Sequence, residues 1–175
     1  MKLRIKNESI FDHSSDGVIL TIDGTSKGMG GKVARTFAEL YPETWKYIES
    51  QAHYPIAFGK CASIPIPDGD PFRYVFLAAT LMHLPDINGS SLKAPALHAY
   101  CMAIVAATSY GLKTVRCGLP TGGWRIDPLN AFLLLAEVSD KTGSSTKTVE
   151  LHICIPDKDI FDSVVKFAIN IGFDI

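Results

Sequence analysis

The sequence predicts an α/β domain of three layers, in which a mixed but mostly parallel sheet is covered by helices on both faces. Three observations predict it. Residues 17–22 (GVILTI) and 74–80 (YVFLAAT) are continuous apolar runs, as strands buried on both faces require. Apolar residues at helical spacing follow such runs, so strands and helices alternate. Gly-rich segments join strand to helix at two places.

The elements follow in order. Residues 3–5 read as a short first strand and 7–15 as a polar turn. The strand at 17–22 runs into 23–31 (DGTSKGMGG), after which Val33, Phe37, Leu40 and Tyr41 mark a helix, with a further helical turn after Pro42 suggested by Trp45 and Ile48. Residues 62–66 are a weak strand, and Asp68-Gly69-Asp70-Pro71 is a turn. The 74–80 strand leads through a loop to a long Ala-rich helix over 92–110, which Gly111 stops. Residues 114–119 (TVRCGL) form another strand, followed by a second Gly-containing loop, 120–125 (PTGGWR). Asp127-Pro128 opens a helix as N-cap and first residue, and this helix ends near Val138. Residues 139–147 read as a polar linker, 149–155 (VELHICI) as the last strand, and Asp157 as the cap of a final helix carrying Phe161, Val164 and Ala168.

With 175 residues, the chain suits one domain, 1–175, long enough to bury its own core. A hydrophobic fraction of 47% argues against disorder. The formal net charge of −1 gives no global field for nucleic acid or an anionic membrane, so an anionic ligand must be held by local devices. No apolar run is long enough to span a bilayer, and the basic N-terminus leads into no apolar leader. The expected location is therefore intracellular, in the cytoplasm. The four cysteines are widely spaced, which suits buried free thiols better than a disulfide framework or a zinc site. Without a Cys/His cluster at ligand spacing, neither metal nor cofactor is expected.

Ligands of open α/β sheets sit beyond the carboxyl ends of the strands, and both Gly-rich loops lie there. Glycine lets backbone N–H groups approach a ligand, and a helix N-terminus adds unpaired donors and the positive end of a dipole. Two such loops together suit a diphosphate. They are not a P-loop: Ser26 stands where glycine should precede Gly31-Lys32, and Val33 replaces Ser/Thr. Nor are they the dinucleotide fingerprint, since Gly28-Met29-Gly30-Gly31-Lys32-Val33 ends in valine.

At these residues the sequence resembles the macrodomain family. Residues 16–23 (DGVILTID) match that family's Asp-Ala-(apolar)₂-Asn-Ala-Ala-Asn strand end without a gap, and 28–34 (GMGGKVA) is similar to its first loop. Phe37 and Tyr41-Pro42-Glu43 continue the likeness, as do the Tyr74-Val75-Phe76 strand, Thr121-Gly122-Gly123-Trp124 in the second loop, and the closing strand and helix. The resemblance implies that ADP-ribose, or a nucleotide like it, binds between loops 24–34 and 120–125, either free or carried on an ADP-ribosylated protein. It implies contacts from Ile22, Asp23, Gly28, Met29, Gly30, Gly31, Lys32 and Val33 on one side. Pro120, Thr121, Gly122, Gly123, Trp124 and Arg125 supply the other, with Trp124 packed on the distal ribose. Glu8 stands within one residue of the family's adenine-reading Asp, and a carboxylate suits an exocyclic amine donor; Asp12 is the other acid on that loop.

Lys32 either reaches phosphate or is a solvated helix-start lysine, and Arg125 either pairs with phosphate or makes a rim salt bridge. Asp23 replaces the family's distal-ribose Asn, and Leu20 the earlier Asn of the motif. In the branch that hydrolyses ester-linked ADP-ribose with Lys and Asp, the matching positions here are Ala38 and Trp124. The expected function is therefore ADP-ribose binding. The alternative is a hydrolase of ADP-ribosyl, phosphate or ester linkages with Asp23 as general base.

Overall fold

In a computed structural model of the chain, the described residues are 1–25, 30–67, 69, 71–81, 89–122, 125–142 and 149–173. The elements run β1 (Lys2–Lys6), β2 (Ser15–Asp23), α1 (Lys32–Leu40), α2 (Pro42–Gln51), β3 (Cys61–Pro65), β4 (Phe72–Leu81), α3 (Gly89–Ser109), β5 (Thr114–Cys117), α4 (Pro128–Thr142), β6 (Glu150–Cys154) and α5 (Lys158–Asn170). They build a six-stranded sheet in the order β1-β6-β5-β2-β4-β3. Every neighbouring pair is parallel except β3 with β4. The expected α/β class and mostly parallel sheet are what is found. Pro65 sits in β3, an edge strand, where a missing N–H is tolerated.

Side-chain alternation separates two cores. On one face Ile19, Val115, Leu151 and Ile153 pack with α3, α4 and α5, through Ala99, Ala103, Leu135, Val138 and Val164. On the other face Val18, Leu20, Ile22, Val75 and Leu77 pack with Ala34 and Phe37 of α1 and Trp45 and Ile48 of α2. Phe37 is fully buried, and its ring lies 5.0–6.2 Å from those of Phe11, Tyr41, Trp45 and Phe72. These tilted and edge-on contacts fasten α1 to the sheet and to the segment between β1 and β2.

The second face is divided. The strand registers place Arg4, His152, Arg116, Val18, Val75 and Ile64 in one row from β1 to β3. The β2-β4-β3 half of that row is apolar and lies in the core with α1 and α2. The β1-β6-β5 half carries the polar side chains of Arg4, Lys6, His152 and Arg116, with Cys154 of β6 buried in the apolar cluster. Arg116 is nonetheless buried, because the segment joining β1 to β2 folds over it. Its Nε donates to Ile10 O at 2.9 Å, and its Nη2 to Ser9 O at 2.8 Å and to Glu8 Oε1 at 2.7 Å.

Several boundaries differ from expectation. Pro42 opens a separate helix, α2, as its first residue rather than a single turn. Helix α4 runs on to Thr142 through the start of the expected linker; Ser139 and Thr142 bond backbone carbonyls at Met1 and Val138 instead of breaking the helix. Residues 143–148 lie outside the described residues. Helix α3 ends as expected at Gly111, with φ of 70°. Leu112 N donates to Ala107 O at 3.0 Å and Gly111 N to Thr108 O at 3.1 Å, the paired bonds of a Schellman stop. Asp157 caps α5, accepting from Asp159 N at 3.1 Å and Ile160 N at 3.0 Å.

Candidate functional site

Adjacent strands β2 and β5 run parallel, pairing Ile19 with Cys117, the last residue of β5, beyond which β2 continues to Asp23. The chain leaving β2 turns to α1 on one face, and the chain leaving β5 turns to α4 on the other. Two neighbouring parallel strands whose connections part to opposite faces leave a crevice beyond their ends, the topological switch point where ligands of open α/β sheets bind. Both Gly-rich loops begin there.

The first loop is built around Asp23, which is only 7% exposed. A register irregularity between Ile22 and Asp23 sets the last residue of β2 against Leu81. The Asp23 Oδ1 accepts the Thr25 amide at 3.0 Å, a local turn typical of aspartate. The returning chain passes directly over it: a Cβ on Gly30 would lie 2.4 Å from Asp23 N and Cβ. Gly31 then adopts φ of 106°, which L side chains rarely do, and forms the N-cap of α1. Having no side chain, it cannot cap the first-turn N–H groups, so the positive end of α1 points at the loop with its donors unanswered by the cap residue. Of the residues expected here, Ile22 and Gly30 are buried, Val33 is half-buried and Lys32 is exposed. Gly28 and Met29 lie outside the described residues.

The second loop starts at Gly118. Pro120 is buried, Thr121 N donates to Leu119 O, and Ile126 N closes the loop on Thr121 O, both at 2.8 Å. Gly122 has φ of 59° and packs so closely on Leu92 Cδ1 that a Cβ would come to 2.9 Å. Arg125 is exposed; Gly123 and Trp124 lie outside the described residues. The helix that follows differs from α1. Asp127 Oδ1 accepts from Leu129 N at 2.9 Å and from Asn130 N at 3.4 Å, so the first-turn donors of α4 are already engaged. The two loops are therefore unequal: the first offers a helix N-terminus, and the second offers loop amides and side chains.

No protein-family model matches the sequence, and no curated protein matches it significantly. Solved structures do match. A variant of the Oceanobacillus iheyensis macrodomain with ADPR is 12% identical, with a TM-score of 0.76 over 96% of this chain and 94% of that one. The Trypanosoma brucei macrodomain in complex with ADP is 13% identical, with a TM-score of 0.71 over 95% of this chain and 69% of that one. The macrodomain of Mycobacterium tuberculosis DarG is 14% identical, with a TM-score of 0.69 over 89% and 98% respectively.

The chain has the macrodomain fold.

Within this macrodomain fold, Glu8 is not a free carboxylate. Its Oε1 receives Arg116 Nη2 at 2.7 Å, and its Oε2 lies 3.4 Å from His13 Nε2. Asp12 Oδ2 accepts the Ser9 amide at 2.7 Å and so shapes the same segment. Sequence reasoning overlooked Arg116; the signal was a lone charge inside an otherwise apolar strand, which in a buried setting demands a partner. His98 serves the fold, with Nδ1 2.7 Å from Gly59 O. The cysteines are all free, and burial pushes the thiols of Cys61 and Cys154 up to about 12. Among the described residues, no helix is long and apolar enough to cross a membrane.

Proposed function

We propose that the chain binds ADP-ribose, or a nucleotide built like it, in the crevice at the carboxyl ends of β2 and β5, with the ligand free or attached to a protein. One observation carries the proposal. Two glycine-dependent loops leave adjacent parallel strands toward opposite faces, and one of them presents the N-terminus of α1, whose cap residue Gly31 has no side chain to engage its donors. That end offers backbone donors and a positive dipole to a diphosphate, where the net charge of the chain, −1, offers no help. Neighbours of the same fold with ADPR and with ADP support the ligand class. Lys32, exposed at the first turn of α1, would approach the diphosphate from solvent, and Gly28, Met29, Gly123, Trp124 and Arg125 would complete the two walls.

The place of Asp23 supports a binding rather than a hydrolytic role. Its carboxylate is nearly inaccessible and already accepts the Thr25 amide, and the Gly30 backbone closes over it. We assign it to shaping the first loop.

Isothermal titration with ADP-ribose, with AMP as control, tests the proposal. The expected result is binding at micromolar concentration or tighter, with AMP much weaker because it lacks the diphosphate and distal ribose. An absence of heat with ADP-ribose at high concentration would overturn it.

A further inference from the structure

The polar half of the second sheet face holds a cavity of about 280 Å³, large against the roughly 30 Å³ share of one water molecule. It is separate from the switch-point crevice, since it lies on the sheet face and reaches back to Ser15 and Thr114, the first residues of β2 and β5. Its floor is Thr114, Arg116 and His152, side by side on one face of β5 and β6.

Arg116 is the unusual member. Its side chain is only 3% exposed. Nε and Nη2 make all of its side-chain hydrogen bonds among the described residues, which leaves the two protons of Nη1 without an acceptor among those residues, in a guanidinium that lines the cavity. Lys6, at the end of β1, lines it as well and makes no ion pair among the described residues. Against these two cations the lining holds one carboxylate, Glu8, already bound to Arg116 Nη2. The hydroxyl of Ser14 and the imidazole rings of His13 and His152 complete the polar lining, with His13 Nε2 3.4 Å from Glu8 Oε2 and His152 Nε2 3.6 Å from Glu150 Oε1. The Ser15 hydroxyl is committed to Gly17 O at 2.8 Å and contributes shape only.

We propose that this cavity is an oxyanion site that takes a phosphoryl group, held by Arg116 Nη1 and Lys6. A buried planar guanidinium with an unused edge suits a tetrahedral oxyanion, and Lys6 adds a mobile second charge at the mouth. The proposal does not rest on ADP-ribose binding in the crevice.

The test is a ¹⁵N NMR titration of the whole chain with inorganic phosphate, the ionic strength being held constant with sodium chloride. The expected result is a saturable shift at the Arg116 Nε–H and at the amides of Ser14, Thr114 and His152. Lys6→Gln, at an exposed position, should weaken binding by roughly two- to five-fold, the range of a solvent-exposed charge pair. Glu8→Gln keeps an acceptor for Arg116 and removes the opposing charge, so it should tighten binding. A purely structural Glu8–Arg116 pair predicts no such gain. Methyl phosphate, run in parallel, identifies the source. Binding of both probes points to a phosphoryl group on a larger carrier, and binding of phosphate alone to the free ion. The proposal is overturned if no saturable shift appears, if shifts are confined to Gly31–Val33 in the crevice, or if neither variant changes the phosphate affinity.

Discussion

Replacing Gly30 with alanine tests how tightly the first loop is held. The added Cβ would stand 2.4 Å from both the N and Cβ of Asp23 and 2.9 Å from its Cα, where ordinary contacts begin near 3.4 Å. Two of these atoms are backbone, so no rotamer change relieves the clash; the loop must move by about an ångström. Overpacking of this kind costs about 1–3 kcal/mol. At about 2–4 °C per kcal/mol for a domain of this size, Tm should fall by about 2–12 °C. Stability of about 5–15 kcal/mol leaves the variant folded, so affinity can be read separately. A moved loop loses alignment with the ligand, and each hydrogen bond lost to a charged group is worth about 1.5–3 kcal/mol. ADP-ribose should therefore bind at least about tenfold more weakly. Gly118→Ala is the matched control. It lies at the start of the second loop, and a Cβ there would meet nothing within 4 Å, so its Tm should change by no more than about 0.5 kcal/mol in equivalent stability. Thermal melts and calorimetric titration of both variants decide the matter. Equal melting temperatures and equal affinities would refute the tight-return reading of Gly30.

Further expectations follow from other parts of the molecule. Phe37→Ala empties the centre of the aromatic cluster and should destabilise by about 3–5 kcal/mol, measured by urea unfolding; a loss under about 1 kcal/mol would mean that α1 is held by something else. Asp23→Asn keeps an oxygen for the Thr25 amide and should bind ADP-ribose nearly as the parent does, whereas Asp23→Ala should bind about two- to tenfold more weakly, the value of one hydrogen bond; equal affinity of the two would remove the loop-shaping role. Burial works against the Asp16 carboxylate, but the amides of Lys113 and Thr114 and the guanidinium of Arg73 outweigh it and hold its carboxyl below the usual 3.8. Its contribution to stability is thus present above pH 3.8 and lost as pH falls through the lower folded value, and Asp16→Asn should flatten the acid limb of stability against pH; an unchanged limb contradicts this. Burial raises all four thiols, least of all in Cys101, so mass spectrometry after brief iodoacetamide treatment should find Cys101 modified first and the others only in denaturant; early labelling of Cys117 would be inconsistent with its position in the core.

Much of the fold was legible because its strands advertise their surroundings. β2 and β4, buried on both faces, read as unbroken apolar runs, and Gly111 and Asp157 stop and start helices by local chemistry alone. The end of α4 was hidden for the opposite reason. Ser139 and Thr142 look like linker residues, yet in a helix already nucleated by Phe132, Leu135 and Val138 their hydroxyls simply bond carbonyls. The candidate crevice was visible as two glycine-rich loops, because backbone approach requires glycine wherever it occurs. The asymmetry between its sides was present in the sequence too, in Gly31 before one helix and Asp127 before the other. Arg116 could not be placed from its own strand, since what makes its burial tolerable is Glu8 and two carbonyls more than a hundred residues away in sequence.

The position of β1 at the edge of the sheet has a consequence for synthesis. Its partner is β6, and Lys2 and Leu3 pair with Glu150 and Leu151. β1 ends at Lys6 and β6 begins at Glu150, so every other strand of the sheet is synthesised between them. At about 5–20 residues per second, β1 waits on the order of ten seconds or more for the strand that completes its hydrogen bonds. Arg116, on β5, is made before β6, and its bonds to Glu8, Ser9 and Ile10 hold the segment after β1 without any contribution from β6. The segment after β1 can thus be tethered before the final strand is made, and a chain stopped short of residue 150 would leave Leu3 and Ile5 without their partners Leu151 and Ile153.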